Sequence, residues 1–241
     1  MTGMGQERDP VSLLSRFSPA LAWAGLTLLF YSPFFFFGKA FLPADFLYRT
    51  PPWYDPTVPL WNFDLFDAIV AYYPYQALLH EAMARGEFPA WNPFNLGGIP
   101  LLCNGQSGFL YPPRLVLTSL FPAVIAHGLS LALHTFAGGV LTYTLARRWG
   151  QSPAGAALTS LAWSFNPFVM AWLEMDFSNL AAALIPLVLL GVEQARTRWR
   201  GAAVTAVGVA LLCTSGHLQW VLYSLVAVCL AGMWRLRGDP P

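Results

Sequence analysis

An all-α, polytopic membrane protein is the fold class this sequence predicts, on three observations. Hydrophobic residues make up 56% of the 241-residue chain and charged residues only 10%, which is more apolar surface than a soluble domain of this length buries. Long charge-free windows recur, and the 20 Pro and 20 Gly fall inside them as well as between them, a pattern that membrane helices tolerate. The cationic residues gather beside alternate window ends, as the positive-inside rule requires. With 13 basic and 12 acidic residues and no basic tract, the chain lacks the means to neutralise a run of phosphates, so no nucleic-acid partner is expected. Cys103, Cys213 and Cys229 have neither CxxC nor metal-type spacing, so neither a disulfide framework nor a zinc site is expected.

Residues 1–18 read as a cytoplasmic N-terminus. The 22 uncharged residues between Arg16 and Lys39 predict a first transmembrane helix over 19–42, an uncleaved anchor because no small-residue cleavage site follows it. Residues 114–241 carry the remaining windows: Leu115–Ala146, Trp149–Leu173, Phe177–Val192 and the 34 residues Gly201–Trp234. The last is too long for one ordinary span, and Gly216-His217 interrupts it, so it reads as a hairpin of two short spans. About six transmembrane helices result. With the N-terminus inside, Arg8, Arg16, Arg147, Arg148, Arg196, Arg198, Arg200, Arg235 and Arg237 fall inside, and only Lys39, Arg49, Arg85 and Arg114 fall outside.

Residues 43–113 then form one large external loop after the first span, far longer than an ordinary connector and the place to look for chemistry. Within it, Pro74 and Gly86 bracket a helix. Its stripe of Tyr75, Leu78, Leu79, Ala82 and Met83 predicts an interfacial helix, lying on the bilayer or on the tops of the spans. The aromatics crowding the loop suit interface anchoring or carbohydrate stacking.

The run Asp67-x6-Pro74, followed by GEFPAWNPFNLGGIPLLCNGQSGFLYPP and later by GHLQWVLY, resembles the large bacterial YfhO-like membrane proteins of the GT-C glycosyltransferase class. The resemblance covers most of residues 60–235. It implies a multi-pass protein of the bacterial cytoplasmic membrane whose sugar donor is a polyprenyl-phosphate lipid. It also implies a catalytic acid in the first external loop; Asp67 fits that position best and Asp64 second. Proteins of this kind have more spans, so the chain corresponds to an N-terminal portion, with a C-terminal continuation or partner membrane subunit expected to complete the site. His217-Leu218-Gln219 stands where the resemblance calls for His-Pro-Gln.

Transfer from a lipid phosphate needs a base for the acceptor hydroxyl but little leaving-group protonation. Asp64 and Asp67, three apart, would share a helix face and suit a divalent cation, or Asp64 would simply cap the helix. His80 with Glu81 suits substrate contact or a solvated face. Glu174 and Asp176 occupy a short external turn and suit an acceptor, a cation or plain solvation. His217 and Gln219 lie in the last external turn, able to contact substrate or cap helix ends. Arg114 and Lys39 suit a lipid phosphate or ordinary headgroups. No phosphate loop, dinucleotide fingerprint, nucleophile elbow or HExxH pair occurs. A transporter or lipid flippase, or a non-catalytic membrane fragment, is the alternative. Transport would need ionisable groups inside the spans, where only His127 and His134 stand, and interhelical packing accounts for both.

Overall fold

The computed structural model describes residues 10–237, and these described residues are 70% helical. The helices are α1 (Pro10–Phe30), α2 (Ser32–Phe37), α3 (Tyr73–Ala84), α4 (Pro112–Leu120), α5 (Ala123–Arg148), α6 (Pro153–Ser164), α7 (Pro167–Ala171), α8 (Phe177–Ala195), α9 (Arg200–Thr214) and α10 (Leu218–Leu236). A two-residue antiparallel pair, β1 (Trp91–Asn92) and β2 (Ile99–Pro100), closes a hairpin in the loop.

Three of the described helices are long and apolar enough to cross a membrane: Ala123–Arg148, Phe177–Ala195 and Leu218–Arg235. Six crossings are not supported by length. In the first window α1 ends at Phe30, and the helix breaks at Tyr31 before α2. The Trp149–Leu173 window breaks at Asn166-Pro167, because a proline cannot continue the ladder of the preceding helix. The fifth element, α9, has 15 residues, about 22 Å at 1.5 Å per residue and short of the hydrocarbon thickness of roughly 30 Å. The hairpin reading of the last window holds, with Gly216 in the left-handed region (φ +106°) between α9 and α10.

The long helices α5, α8 and α10 run in the same direction. At their C-terminal ends Glu193 receives Trp149 Nε1–H at 3.2 Å and Arg235 Nη2–H at 3.2 Å, and Arg196 closes on the same carboxylate at 3.5 Å. At the opposite end Phe177, which opens α8, and His217, the N-cap residue of α10, pack with ring centroids 4.3 Å apart and planes tilted by 40°. Helix α9 returns antiparallel to α8. A Cβ on Gly191 would lie 2.5 Å from the Thr205 main-chain nitrogen, so glycine there permits the backbone contact that packs helices without a hydrophobic drive. Pro186 leaves the Ala182 carbonyl without its helical partner, and Trp163 Nε1–H of α6 supplies one at 2.7 Å. The molecule therefore has a basic end, where Arg147, Arg148, Arg196 and Arg235 follow the long helices, and a loop end covered by residues 43–113.

Helix α3 takes one of the two surroundings its stripe allowed. Its stripe is covered by protein: Tyr75 and Leu79 pack with Leu101 and Phe109, and Leu115 of α4 completes the cluster. An amphipathic stripe needs an apolar neighbour but does not specify lipid or protein, and here the Gly86–Pro113 segment folds back to supply it. Of the two placements expected of the stripe, the bilayer surface or the tops of the spans, the packing of α3 on α4 and α5 corresponds to the second.

Candidate functional site

The segment carrying the candidate acid is a continuous helical path that begins at Phe63. Asn62 caps it, its Oδ1 accepting the Asp64 amide at 3.1 Å, so the cap is Asn62 and not Asp64. After a 3₁₀ turn at Phe63–Leu65 the path widens into a π turn over Ala68–Tyr72 before α3, with the Tyr73 amide reaching back to the Ala68 carbonyl. Pro74 explains the widening, since it lacks an amide and its ring would collide with the Val70 carbonyl in an unbroken α-helix. Asp67 sits immediately before the π turn.

Asp67 lines a cleft of about 450 Å³ at the loop end, together with His217 and Gln219. Aromatic rings make its walls: Tyr72, Phe168, Trp172, Phe177, Trp220 and Tyr223. Trp220 lies 4.7 Å from Phe168 and 5.5 Å from Phe177 between ring centroids, and Trp172 lies 6.1 Å from Phe177. Burial holds the His217 imidazole below its usual range, opposed by the nearby Asp67 charge, so it is a neutral group able to donate and accept. Its Nδ1 is buried without a hydrogen-bond partner. Gln219 Nε2–H donates to Tyr223 Oη at 3.0 Å. Such a site offers one carboxylate base, one neutral imidazole and flat rings on which a sugar's apolar face stacks.

Glu174 lines a separate cleft of about 430 Å³ with Phe41, Trp61, Asn62 and Leu65 on its loop side. Helix α7 and the turn after it divide the two clefts. Pro167, Met170, Ala171 and Leu173 face the Glu174 side, and Phe168, Trp172 and Met175 face the Asp67 side. Asn62 Nδ2–H fastens the loop to this partition through the Ala171 carbonyl at 3.1 Å. Burial, reinforced by Asp45, pushes the Glu174 carboxyl up to about 7.

Arg114 and Asp176 occupy neither cleft. They form an ion pair at 2.7 Å with side chains only 4% and 2% exposed, and Arg114 Nη1–H also reaches the Ser107 carbonyl at 3.1 Å. A Cβ on Gly108 would fall 1.7 Å from Arg114 Nη1, so this glycine makes room for the guanidinium. Asp176 adopts φ +58°, unusual for a residue with a side chain and tolerated best by Asn and Asp. The pair locks the loop's last segment to the start of α8. Substrate or lipid-phosphate contact, expected for Arg114 and Asp176, is replaced by this buried clasp.

His80 is likewise structural, its Nδ1–H donating to the Thr118 carbonyl at 2.7 Å and tying α3 to α4. Glu81 is exposed and lines a third groove with Arg85 and Glu87, away from Asp67. Asp64 is exposed and lines neither the Asp67 nor the Glu174 cleft. The two buried histidines pack as expected: Gln76 Nε2–H faces His127 Nδ1 at 3.3 Å, and His134 accepts Tyr111 Oη–H at 2.6 Å while donating to the Ser130 carbonyl at 2.6 Å. Among the described residues no group of three or more His, Cys, Asp or Glu comes together to hold a metal ion. Of the cleft walls, Tyr72 is among the loop aromatics expected to serve as interface anchors or stacking platforms, whereas sequence reasoning missed Trp172 and Trp220, whose only signal is an aromatic close in sequence to Glu174 and to His217. No protein-family model, curated protein or solved structure matches the chain.

Proposed function

We propose that the protein is a GT-C-like membrane glycosyltransferase that moves a sugar from a polyprenyl-phosphate donor to an acceptor on the external face of the bacterial cytoplasmic membrane. The observation that carries this reading is Asp67 in an aromatic-walled cleft with His217 and Gln219 at the loop end. The basic end then faces the cytoplasm, in keeping with the positive-inside rule. The helices α1, α6 with α7, and α9 serve as shorter or broken crossings between the three long ones, giving six in all.

In the transfer step the Asp67 carboxylate takes the proton of the acceptor hydroxyl as that oxygen bonds to the anomeric carbon. The bond from the anomeric carbon to the phosphate oxygen breaks, and its electron pair leaves with the polyprenyl phosphate, already a good leaving group at neutral pH. Trp172 and Trp220 hold the sugar by stacking, and Gln219 and neutral His217 donate to its hydroxyls. A continuation of the chain or a partner membrane subunit supplies any further wall for the lipid. Transport has less support, because the described interiors of α5, α8 and α10 carry no Asp, Glu, Lys or Arg. The test is transfer of a radiolabelled sugar from a polyprenyl-phosphate donor by membranes containing the protein. Transfer that depends on Asp67 is expected, and transfer unchanged in Asp67→Asn overturns the reading.

A further inference from the structure

The Glu174 cleft is chemically unlike the Asp67 cleft. Its lining contains one carboxylate and no Lys or Arg. Glu174 Oε2 is buried without any hydrogen-bond partner. A second carboxylate, Asp45, stands near enough to act on Glu174 electrostatically, and its own Oδ2 is held by the Trp61 amide at 2.6 Å. The loop cation Arg49 is committed elsewhere, to the carbonyls of Asp55 at 2.9 Å and Val58 at 2.7 Å. Two carboxylates with no compensating cation leave a negative potential inside a cavity of about 430 Å³, an arrangement that favours a positive guest. The Asp45 charge, which favours a proton on Glu174, favours an ammonium beside it for the same electrostatic reason.

The guest is organic rather than metallic. A hard cation takes six or more oxygen ligands or several carboxylates, and among the described residues no group of three potential ligands exists. The cleft instead places two aromatic rings, Phe41 and the 86%-exposed Trp61, beside the carboxylate, the surroundings in which an alkylammonium gains cation–π attraction. Glu174 is the only charged side chain in this lining, so a ligand's cationic hydrogen-bond donors are drawn to it. We propose that the Glu174 cleft binds a primary ammonium group, carried either by a lipid headgroup or by a soluble amine. The site stands apart from the Asp67 cleft and does not depend on the transfer reaction.

Native mass spectrometry of the detergent-purified protein, titrated with phosphatidylethanolamine and, separately, phosphatidylglycerol, tests it. Free ethanolamine forms a third arm, read as a rise in the thermal unfolding midpoint. Preferential retention of phosphatidylethanolamine is expected if the ammonium comes from lipid. A midpoint raised by ethanolamine, without lipid preference, assigns the site to soluble amines. In either case Glu174→Gln should weaken binding at least about tenfold, the smallest loss expected for a hydrogen bond to a charged group. Trp61→Ala, which keeps the carboxylate and sits at the exposed rim, should weaken it less, and Asp67→Asn should leave it unchanged. Equal retention of both lipids with no effect of ethanolamine overturns the proposal, as does unaltered amine binding in a folded Glu174→Gln or in Trp61→Ala should the first variant misfold.

Discussion

Asp67 and Asp64 lie three residues apart and are both exposed, yet only Asp67 lines the aromatic cleft. Asp67→Asn should therefore cut sugar transfer by about 10²-fold or more, the scale of a lost general base, with expression unchanged. Asp64→Asn should leave both near normal, since Asn62 supplies the cap; matched turnover assays on the two variants distinguish them. Glu174 gives a pH signature. Its folded-state value of about 7 lies above the ordinary carboxylate value of 4.5, so the native state holds the proton more tightly than the unfolded chain. The resulting stability is present in full below about pH 4.5 and is lost as pH rises through about 7. The unfolding midpoint of amine-free protein should fall across that window, and Glu174→Gln should flatten the slope. The Arg114–Asp176 clasp makes a third test. Arg114→Met strands a carboxylate that is 2% exposed and should destabilise the fold by about 3–5 kcal/mol. Adding Asp176→Asn, which tolerates the positive φ, should recover much of the loss in denaturation measurements. None of this pairing was legible in the sequence, because the two residues are 62 positions apart and each alone looks like an ordinary surface charge near a helix end.

At the scale of elements, local punctuation was read well and the neighbours of each element were not. Pro74 and Gly86 bounded α3 to within two residues, because a proline at the first turn and a left-handed glycine after the last are properties of the backbone itself. The Gly216 turn was legible for the same reason. The covering of α3 was not, since its partners Leu101 and Phe109 come from a segment rich in Pro, Gly and Asn that carries no periodicity. The π turn over Ala68–Tyr72 escaped notice too, although its cause, Pro74, was in view. That cause is testable. Pro74→Ala restores the missing amide and lets the path relax toward a regular α-helix, which turns Asp67 away from the cleft. Transfer should fall by about tenfold, a modest share of the loss that misplacing a catalytic group produces, while circular dichroism shows helix content unchanged or slightly higher.

The whole molecule is polarised between a basic end and a loop end, and the charge-free windows recorded that polarity because the positive-inside rule acts on residues near span ends. Window length, by contrast, overstated the unbroken helices: an uncharged stretch continues through Tyr31 and through Asn166-Pro167 where the helix itself breaks. Cysteine labelling checks the orientation. All three cysteines are exposed on the protein surface, but Cys103 lies in the loop while Cys213 and Cys229 lie on the apolar helices α9 and α10. In intact cells a membrane-impermeant maleimide should mark a single-cysteine variant at Cys103 and neither of the other two; absence of label at Cys103, with detergent-treated controls reacting, reverses the orientation. The partition formed by α7 has a consequence of its own. A five-residue helix, tied by Asn62 to the Ala171 carbonyl and by Ser178 to the Val169 and Trp172 carbonyls, is the shortest α-helix of the described residues, and displacing it toward either cleft enlarges the other. A guest that shifts this partition changes the room on the far side, and linkage makes any such influence mutual: whatever factor an amine imposes on sugar-donor affinity, the donor must return on the amine.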